Sequence, residues 1–277
     1  TGAMKSTLAA MALSFFGTFD NKSLPSSFKD TANSLEKQGF LLKDMLTVVD
    51  DYHPTGSRQE ATRMAANAQN VARMYGDRTA RNRMNADGSL RGGYVPRGNV
   101  IVTGEDLPNI GQSGTARNLV VEVRKGDIDK KVLTDLQGRT DNLSGCMRAY
   151  IEWLLPQADT LPDILKSRFI QLRLNASQDD RHGRIAETIA HLQIGMDMLI
   201  RFLVEAGNAD RGTAERVASD CWDVLLKLAE QQNERLEQDK PTIMFINAIQ
   251  EMLETSQVIV EDIDREYIGC HPVGFVG

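Results

Sequence analysis

The chain has 277 residues, of which 41% are hydrophobic and 25% are charged, and its formal net charge is −6. This length and composition suit a globular protein with a sizeable core, in one large domain or two moderate ones. The negative net charge argues against a protein that coats nucleic acid with its whole surface. No stretch is as long as an uninterrupted transmembrane helix, and no signal-peptide cleavage pattern is present, so we expect no membrane partner.

The cysteines and histidines indicate no metal site. Cys146, Cys221 and Cys270 are far apart and odd in number. They form no Cys-x-x-Cys pattern, so neither a disulfide framework nor a zinc knuckle is indicated. The four histidines match no metal-ligand spacing and receive no role. This usage predicts a reducing, cytoplasmic setting.

The first residues combine a glycine with a Lys-Ser-Thr run, at Gly2, Lys5, Ser6 and Thr7. A glycine-containing turn, then Lys and Ser or Thr, then a helix is the second half of a phosphate-binding loop. In such a loop the helix N-terminal amides and the lysine hold phosphates, while the serine hydroxyl binds Mg²⁺. Met4 replaces the glycine that usually precedes the lysine. Gly-Ala-Met is also a sequence that cloning can leave behind, which would make the match accidental.

The apolar run that begins at Met45 is β-branched and ends in two carboxylates, Asp50 and Asp51. Such a run before a proline-containing turn predicts a strand that is buried on both faces. Carboxylates at the exit of a parallel strand lie where open α/β sheets bind their ligands. The simpler alternative is a strand that ends in a polar loop.

Two further strands are predicted, over 98–105 and 118–124, and the first of them ends in Thr103 and Glu105. A helix is predicted from near Ser27 to a stop at Gly39, with the next strand beginning near Phe40. Strands that alternate with helices and end in polar residues predict a parallel α/β sheet. From about residue 144 the apolar spacing is helical. The sequence therefore predicts a sheet-containing part over 1–140 and a helical part over 141–277.

Arginines crowd residues 73–98, where turn signals predict a hairpin or an extended loop. An acidic protein with one basic loop can still bind phosphates locally. Arg81, Arg83 and Arg91 are therefore candidates for contact with a nucleic-acid backbone. A solvated loop, or salt bridges at a subunit interface, is the alternative for these three residues.

The order of these motifs resembles that of P-loop ATPases of the AAA+ and superfamily 3 helicase type. More narrowly, it resembles the ATPase module of primase-helicase proteins carried by phages, plasmids and chromosomal islands. The resemblance lies in four segments, at residues 1–9, 46–54, 97–106 and 113–117. It covers roughly the first half of the chain, and the helical half matches in general character. It implies a P-loop NTPase-type parallel sheet flanked by helices, and a fragment that begins within the phosphate-binding loop.

The resemblance also implies how ATP and Mg²⁺ are held. Lys5 would contact the β- and γ-phosphates, with Gly2 in the loop before it. Ser6 would bind Mg²⁺ with Thr7 as its neighbour, and Asp50 would hold the same ion through water.

The remaining roles depend on the same resemblance. Asp51 stands where the family usually has a glutamate that polarises the attacking water. Thr103 and Glu105 occupy the sensor position, which is commonly asparagine. Arg117 or Arg124 is the candidate arginine finger, acting on the nucleotide of a neighbouring subunit, so the resemblance implies a homo-oligomeric ring.

The leading interpretation is a Mg²⁺-dependent ATPase that unwinds or moves along DNA, single-stranded DNA in particular, in the replication of a mobile genetic element. An ATP-driven protein remodeller or loader on the same scaffold is the first alternative, because a fold does not fix a function. The second alternative is a non-enzymatic interaction domain in which the acids merely end strands.

Overall fold

The computed structural model describes residues 2–54, 56–177 and 182–256, and of Arg83 and Arg91 it describes the backbone alone. In chain order the elements are α1 (Lys5–Leu13), β1 (Ser26–Ser27), α2 (Ala32–Leu41), β2 (Leu46–Tyr52), α3 (Arg58–Gly76), β3 (Arg83–Met84), β4 (Leu90–Arg91), β5 (Asn99–Gly104), α4 (Gly111–Thr115), α5 (Lys130–Gln137), α6 (Asp141–Leu154), α7 (Leu161–Ala176), α8 (Gly183–Glu205), α9 (Arg211–Gln238) and α10 (Pro241–Glu254). A short 3-10 helix, Leu155–Gln157, follows α6. One compact unit ends at Leu236 and a second begins at Glu237. The boundary that the sequence predicts after residue 140 stays a prediction.

The central sheet has three parallel strands in the order β1–β2–β5. In the pairing of β2 with β5, Leu46 lies opposite Asn99 and Val49 lies opposite Val102. Helices separate the strands along the chain, as parallel pairing requires. The predicted parallel α/β sheet is therefore confirmed at this level. Among the described residues, no helix is both long and apolar enough to cross a lipid bilayer.

Helices cover both faces of the sheet because consecutive residues of β2 point to opposite sides. Val48 packs with Ala9 and Leu13 of α1. Val49 packs in a separate cluster with residues of α2 and α3, including Leu35 and Val71. Burying a valine or leucine side chain contributes about 2 kcal/mol, so the Val48 cluster holds β2 against α1 and the Val49 cluster holds it against α2 and α3.

The strand predicted over 118–124 is absent, and that prediction is wrong. The backbone there makes contact with a helix instead of a strand. Gln232 of α9, which is fully buried, donates to the carbonyl of Thr115 at 2.8 Å and accepts from the amide of Val120 at 3.4 Å. The Glu122 carboxylate also pairs with Arg235 of α9. Tertiary contacts thus override the β-branched pattern of this segment.

The third strand of the sheet lies instead at β1, where the sequence predicted the start of a helix. Helix α2 begins five residues after Ser27, because the Thr31 hydroxyl accepts a hydrogen bond from the Ser34 amide at 3.2 Å and caps the helix. Gly39 lies inside α2 rather than ending it. A Cβ at Gly39 would lie 2.6 Å from the Tyr75 hydroxyl, so close packing explains this glycine.

The Arg-rich segment contains an antiparallel hairpin made by β3 and β4. Arg83 lies opposite Arg91 in the backbone register, and Met84 lies opposite Leu90. Gly88 in the turn has a φ of 80°, in the left-handed region that glycine adopts without strain. Of the two predicted possibilities, a hairpin or an extended loop, the hairpin is confirmed.

The helices predicted after residue 144 are confirmed wherever the structure describes the chain. A buried cluster joins the end of α7 to α8 and α9, with Ala176, Ile189 and Leu225 among its members. Ala116, which follows α4, belongs to the same cluster. The predicted helical stretch beyond Ser256 lies outside the described residues.

Candidate functional site

Polar side chains from three distant parts of the chain converge where β2 and β5 end. The hydroxyl of Ser6, in the first turn of α1, donates to Asp50 Oδ1 at 2.8 Å. The hydroxyl of Thr103, in β5, donates to the same oxygen. Thr103 Oγ1 also accepts from the amide of Asp51 at 3.3 Å. The structure therefore brings together four of the residues that the sequence selected.

A β-bulge in β2 separates the two carboxylates. The register with β5 shifts between Val49 and Tyr52, so Asp50 and Asp51 together oppose the single residue Thr103. Asp51 has a φ of 65°, in the left-handed region that few residues other than glycine adopt. Asp50 is half-buried beside α1, whereas the Asp51 side chain is 52% exposed. The bulge thus gives two adjacent acids different surroundings.

The backbone before α1 is left-handed at two positions, a feature that many anion-binding turns share. Gly2 and Met4 have φ values of 84° and 61°, and α1 begins immediately afterwards at Lys5. Left-handed residues before a helix turn successive N–H groups toward one point, and the helix dipole favours negative charge there. Lys5 is half-buried, and no carboxylate among the described residues pairs with its ammonium. Thr7, in contrast, is buried in the helix and faces away from solvent.

A second acidic group lies where β5 ends. The amide of Glu105 donates to the carbonyl of Tyr52 at 3.0 Å and continues the ladder of β2 and β5 by one step. The Nδ1 atom of His53 lies 3.5 Å from Glu105 Oε2 and 3.8 Å from Asp106 Oδ2. Burial raises the pKa of the Tyr52 hydroxyl, and the charge of Asp106 adds to this effect. His53, Glu105 and Asp106 thus form a layer beside the Asp50–Thr103 contact.

Arg117 is held away from this cluster by an ion pair. Its guanidinium donates to both carboxylate oxygens of Asp77, at 3.0 and 2.8 Å, and its Nη1 donates to Ser113 Oγ at 2.6 Å. Arg184 of α8 also pairs with Asp77, at 2.7 Å. These bonds, with that of Arg117 foremost, lower the pKa of Asp77 to about 2. The Arg117 side chain is 10% exposed, so its guanidinium is already committed.

The other predicted cations lie at the surface. The Arg124 side chain is 80% exposed and pairs with Glu122 at 3.3 Å. Arg81 is exposed and donates to the Asn70 side chain. The predicted nucleic-acid contacts of Arg83 and Arg91 depend on side chains that lie outside the described part of the structure. Arg81 and Arg124 make these contacts with nearby surface residues, and neither contact involves the strand-end cluster.

The donor atoms at the cluster fit Mg²⁺ bound together with a nucleotide. Among the described residues, no group of three or more His, Cys, Asp or Glu side chains could hold a metal by itself. Mg²⁺ does not need such a group, because it commonly takes one or two protein ligands, substrate phosphates and water. Ser6 and Asp50 supply hard oxygen ligands 2.8 Å apart, beside the start of α1.

Three residues at the site received no role from the sequence. Lys29, in the loop before α2, places its Nζ atom 3.8 Å from Asp51 Oδ2. His53 and Asp106 flank Glu105. Asp106 directly follows the predicted strand end, so its position in the sequence was a usable signal. The approach of Lys29 depends on folding and has no local signature.

Comparisons of the chain with protein-family models, with curated proteins and with solved structures gave no match. The functional interpretation therefore depends on the residues of the site itself.

Proposed function

We propose that this chain is the ATPase module of a P-loop enzyme of the AAA+ or superfamily 3 helicase type. It hydrolyses ATP with Mg²⁺ and drives the unwinding of DNA, or movement along it, in the replication of a mobile genetic element. The observation that carries the proposal is the 2.8 Å hydrogen bond from Ser6 to Asp50, which links the start of α1 to the end of β2 across 44 residues. P-loop enzymes use a loop serine or threonine and a strand-end aspartate to hold one Mg²⁺.

The start of α1 holds the phosphates in this proposal. The backbone N–H groups around Gly2 and the ammonium of Lys5 face the negative charge, and Ser6 and Asp50 hold Mg²⁺. When bound, Mg²⁺ neutralises charge that develops on the phosphates. Thr7 supports the packing of α1 rather than binding nucleotide, because its side chain is buried.

Asp51 and Thr103 have distinct tasks. Asp51 is exposed at the strand end, where it orients the attacking water. Thr103 accepts from the Asp51 amide and donates to Asp50, so one hydroxyl fixes the positions of both acids. Phosphoryl transfer depends mainly on such positioning and on charge neutralisation. Glu105 completes the sensor position beside them.

Arg124 is the better candidate for the arginine finger. A finger must reach the nucleotide of a neighbouring subunit, which requires an exposed guanidinium. The Arg124 side chain is 80% exposed, whereas that of Arg117 is 10% exposed and bound to Asp77. The proposal therefore includes a homo-oligomeric ring in the cytoplasm.

The β3–β4 hairpin is the proposed contact with single-stranded DNA. It places Arg83 opposite Arg91, and Arg81 precedes it on the same segment. Arginines on an exposed hairpin can follow a phosphate backbone without reading its sequence. A protein remodeller on the same scaffold would not need this contact.

Hydrolysis of ATP by a protein that carries this chain with a complete phosphate-binding loop tests the metal site. We expect Mg²⁺-dependent hydrolysis that falls roughly 100-fold or more in Asp50→Asn, the scale of losing a group that positions transition-state charge. Asp44→Asn is the matched control, because Asp44 is exposed, has a φ of 58°, and precedes β2 at its other end. Asparagine tolerates this backbone conformation, so the control should keep its activity.

Addition of single-stranded DNA separates the two ATP-driven alternatives. We expect DNA to raise hydrolysis, with an effect that weakens as salt concentration rises because phosphate contacts release counterions. Hydrolysis that ignores DNA would favour the protein remodeller. A protein with a complete phosphate-binding loop that neither binds nor hydrolyses Mg²⁺-ATP would overturn the proposed function altogether.

A further inference from the structure

We infer that His53 is a positioning residue that holds Glu105 in place at the site, an inference that rests on the proposed ATPase function. His53 lies outside the phosphate loop and the acidic pair, and nothing in its sequence context gives it a role. The structure places it between the end of β2 and the residues that follow β5. What it contacts there is a carboxylate at the proposed sensor position.

The backbone around His53 and Glu105 is held in a fixed register. Tyr52 lies opposite Gly104, and the Glu105 amide donates to the Tyr52 carbonyl at 3.0 Å. A Cβ at Gly104 would lie 2.8 Å from the same carbonyl oxygen, so the backbones of the two strands lie too close for a side chain between them. His53 and Glu105 each follow one of these paired residues. Their side chains therefore start from neighbouring, well-defined points.

The imidazole presents one nitrogen to two acids. Nδ1 of His53 has no exposed surface and forms no hydrogen bond of standard geometry. Glu105 Oε2 and Asp106 Oδ2 lie 3.5 and 3.8 Å away from it. Both neighbours are hydrogen-bond acceptors, so the inference assigns the imidazole N–H to Nδ1. A shift of about half an ångström in the Glu105 side chain would complete an N–H···O bond.

The contact between His53 and Glu105 would orient the carboxylate and offset part of its charge at a phosphate site. In the proposed enzyme Glu105 is an anion near a polyphosphate, so its carboxylate must be oriented and its charge partly compensated. An N–H donor on one carboxylate oxygen directs the other oxygen toward the attacking water and limits the repulsion. Thr103 and His53 thus brace the two strand ends from two sides. His53 acts through Glu105 and does not touch the reacting atoms.

Two substitutions of His53 separate its nitrogens. In His53→Asn the amide nitrogen takes the place of Nδ1, and in His53→Gln it takes the place of Nε2. We expect His53→Gln to lower kcat about tenfold, with KM for Mg²⁺-ATP changed less than about twofold, because misplacing a positioned group slows chemistry. We expect His53→Asn to stay within about threefold of the unmodified chain. Equal losses in both variants, or none in either, would overturn the inference.

A double-mutant cycle identifies Glu105 as the residue through which His53 acts. We expect His53→Gln to have no further effect on kcat in a Glu105→Gln background, because coupled residues do not contribute additively. Fully additive losses would show that His53 acts elsewhere and would refute the inference. If the unmodified protein with a complete phosphate-binding loop is inactive, the proposed function has failed. If it is active and His53→Gln matches it, only the inference has failed.

Discussion

At the scale of single residues, the backbone leaves no room for a side chain at Gly98. A Cβ there would lie 2.0 Å from the carbonyl oxygen of Met45, just before β5 pairs with β2. Contact this short with a backbone atom cannot be relieved by a side-chain rotation. Gly98 therefore fixes how the two strands enter their ladder, and through that ladder the positions of Asp50 and Thr103.

We predict that Gly98→Ala lowers the free energy of unfolding by about 3 kcal/mol, the scale of forced overpacking and backbone displacement. Urea denaturation of the two proteins measures this difference. Gly92→Ala is the control, because nothing lies within 4 Å of a Cβ at Gly92. We expect the control to change stability by less than about 0.5 kcal/mol. Similar losses in both variants would mean that the approach to Met45 is not rigid.

Local sequence patterns predicted part of the site at this scale. Lys5 and Ser6 were selected because a lysine and a serine at a helix start form a short local pattern, and Asp50 because an apolar run ends there. The bulge at Asp50 and Asp51 leaves no such pattern, because it depends on the register with β5. Lys29 reaches Asp51 only through the folded chain. Contacts between residues that are far apart in the sequence could therefore not be predicted from local patterns.

At the scale of elements, Asp77 connects three helices. It follows α3 and binds Arg117, just after α4, and Arg184, in α8. The Asp77 side chain is 26% exposed, so water weakens these pairs only in part. Removing one partner of such a network leaves two guanidinium groups without their anion. Asp77 is therefore one of several links between the sheet layer and the helices, beside the hydrogen bonds of Gln232.

We predict that Asp77→Asn costs on the order of 2 kcal/mol of unfolding free energy at pH 7, since its pKa falls from 3.8 to about 2 on folding. A lowered pKa in the folded protein means that the unfolded chain binds more protons in acid. The stabilisation is therefore complete above about pH 4 and is lost as the pH falls through about 2.

Urea denaturation at pH 7 and at low pH checks the sign, because the difference between Asp77→Asn and the unmodified protein should shrink in acid. Asp135→Asn is the control. Asp135 pairs with Arg139 on an exposed helix surface, at 2.9 Å, and such pairs contribute well under 1 kcal/mol. A difference for Asp77→Asn that stays constant with pH would contradict the assignment.

Elements were predicted well where periodicity was long and poorly where contacts decide. The helices of the second half follow from their apolar spacing. Residues 118–124 have the composition of a strand, yet the amide of Val120 bonds to the buried Gln232 of α9. Ser26 and Ser27 show the opposite case. They form a strand that the sequence did not predict, because a two-residue polar strand has no detectable pattern. Which backbone groups find partners is settled by the fold.

At the scale of the whole molecule, the proposed ring makes Arg124 a residue that serves another subunit. We predict that Arg124→Ala lowers ATP hydrolysis about 10³-fold, the scale of a lost arginine finger. Arg139→Ala is the control, since Arg139 is also exposed, at 67%, and pairs with a nearby acid. ATP hydrolysis by both variants is measured as the rate of phosphate release.

Mixing two inactive variants tests whether the finger acts between subunits. Asp50→Asn subunits keep Arg124, and Arg124→Ala subunits keep Asp50, so a mixed ring contains complete sites at some interfaces. We expect mixing to restore part of the activity that neither variant has alone. No recovery, from variants shown to assemble together, would place Arg124 outside the site.

The bulge in β2 constrains the number of residues that this segment must contain. In a regular strand, the side chains of neighbouring residues point to opposite faces of the sheet. The additional residue opposite Thr103 shifts the register of β2 by one residue, and Tyr52 then pairs with Gly104. Deleting either aspartate would restore the simple alternation and leave one acid to do two tasks. The length of this run is therefore as strict a requirement as its composition.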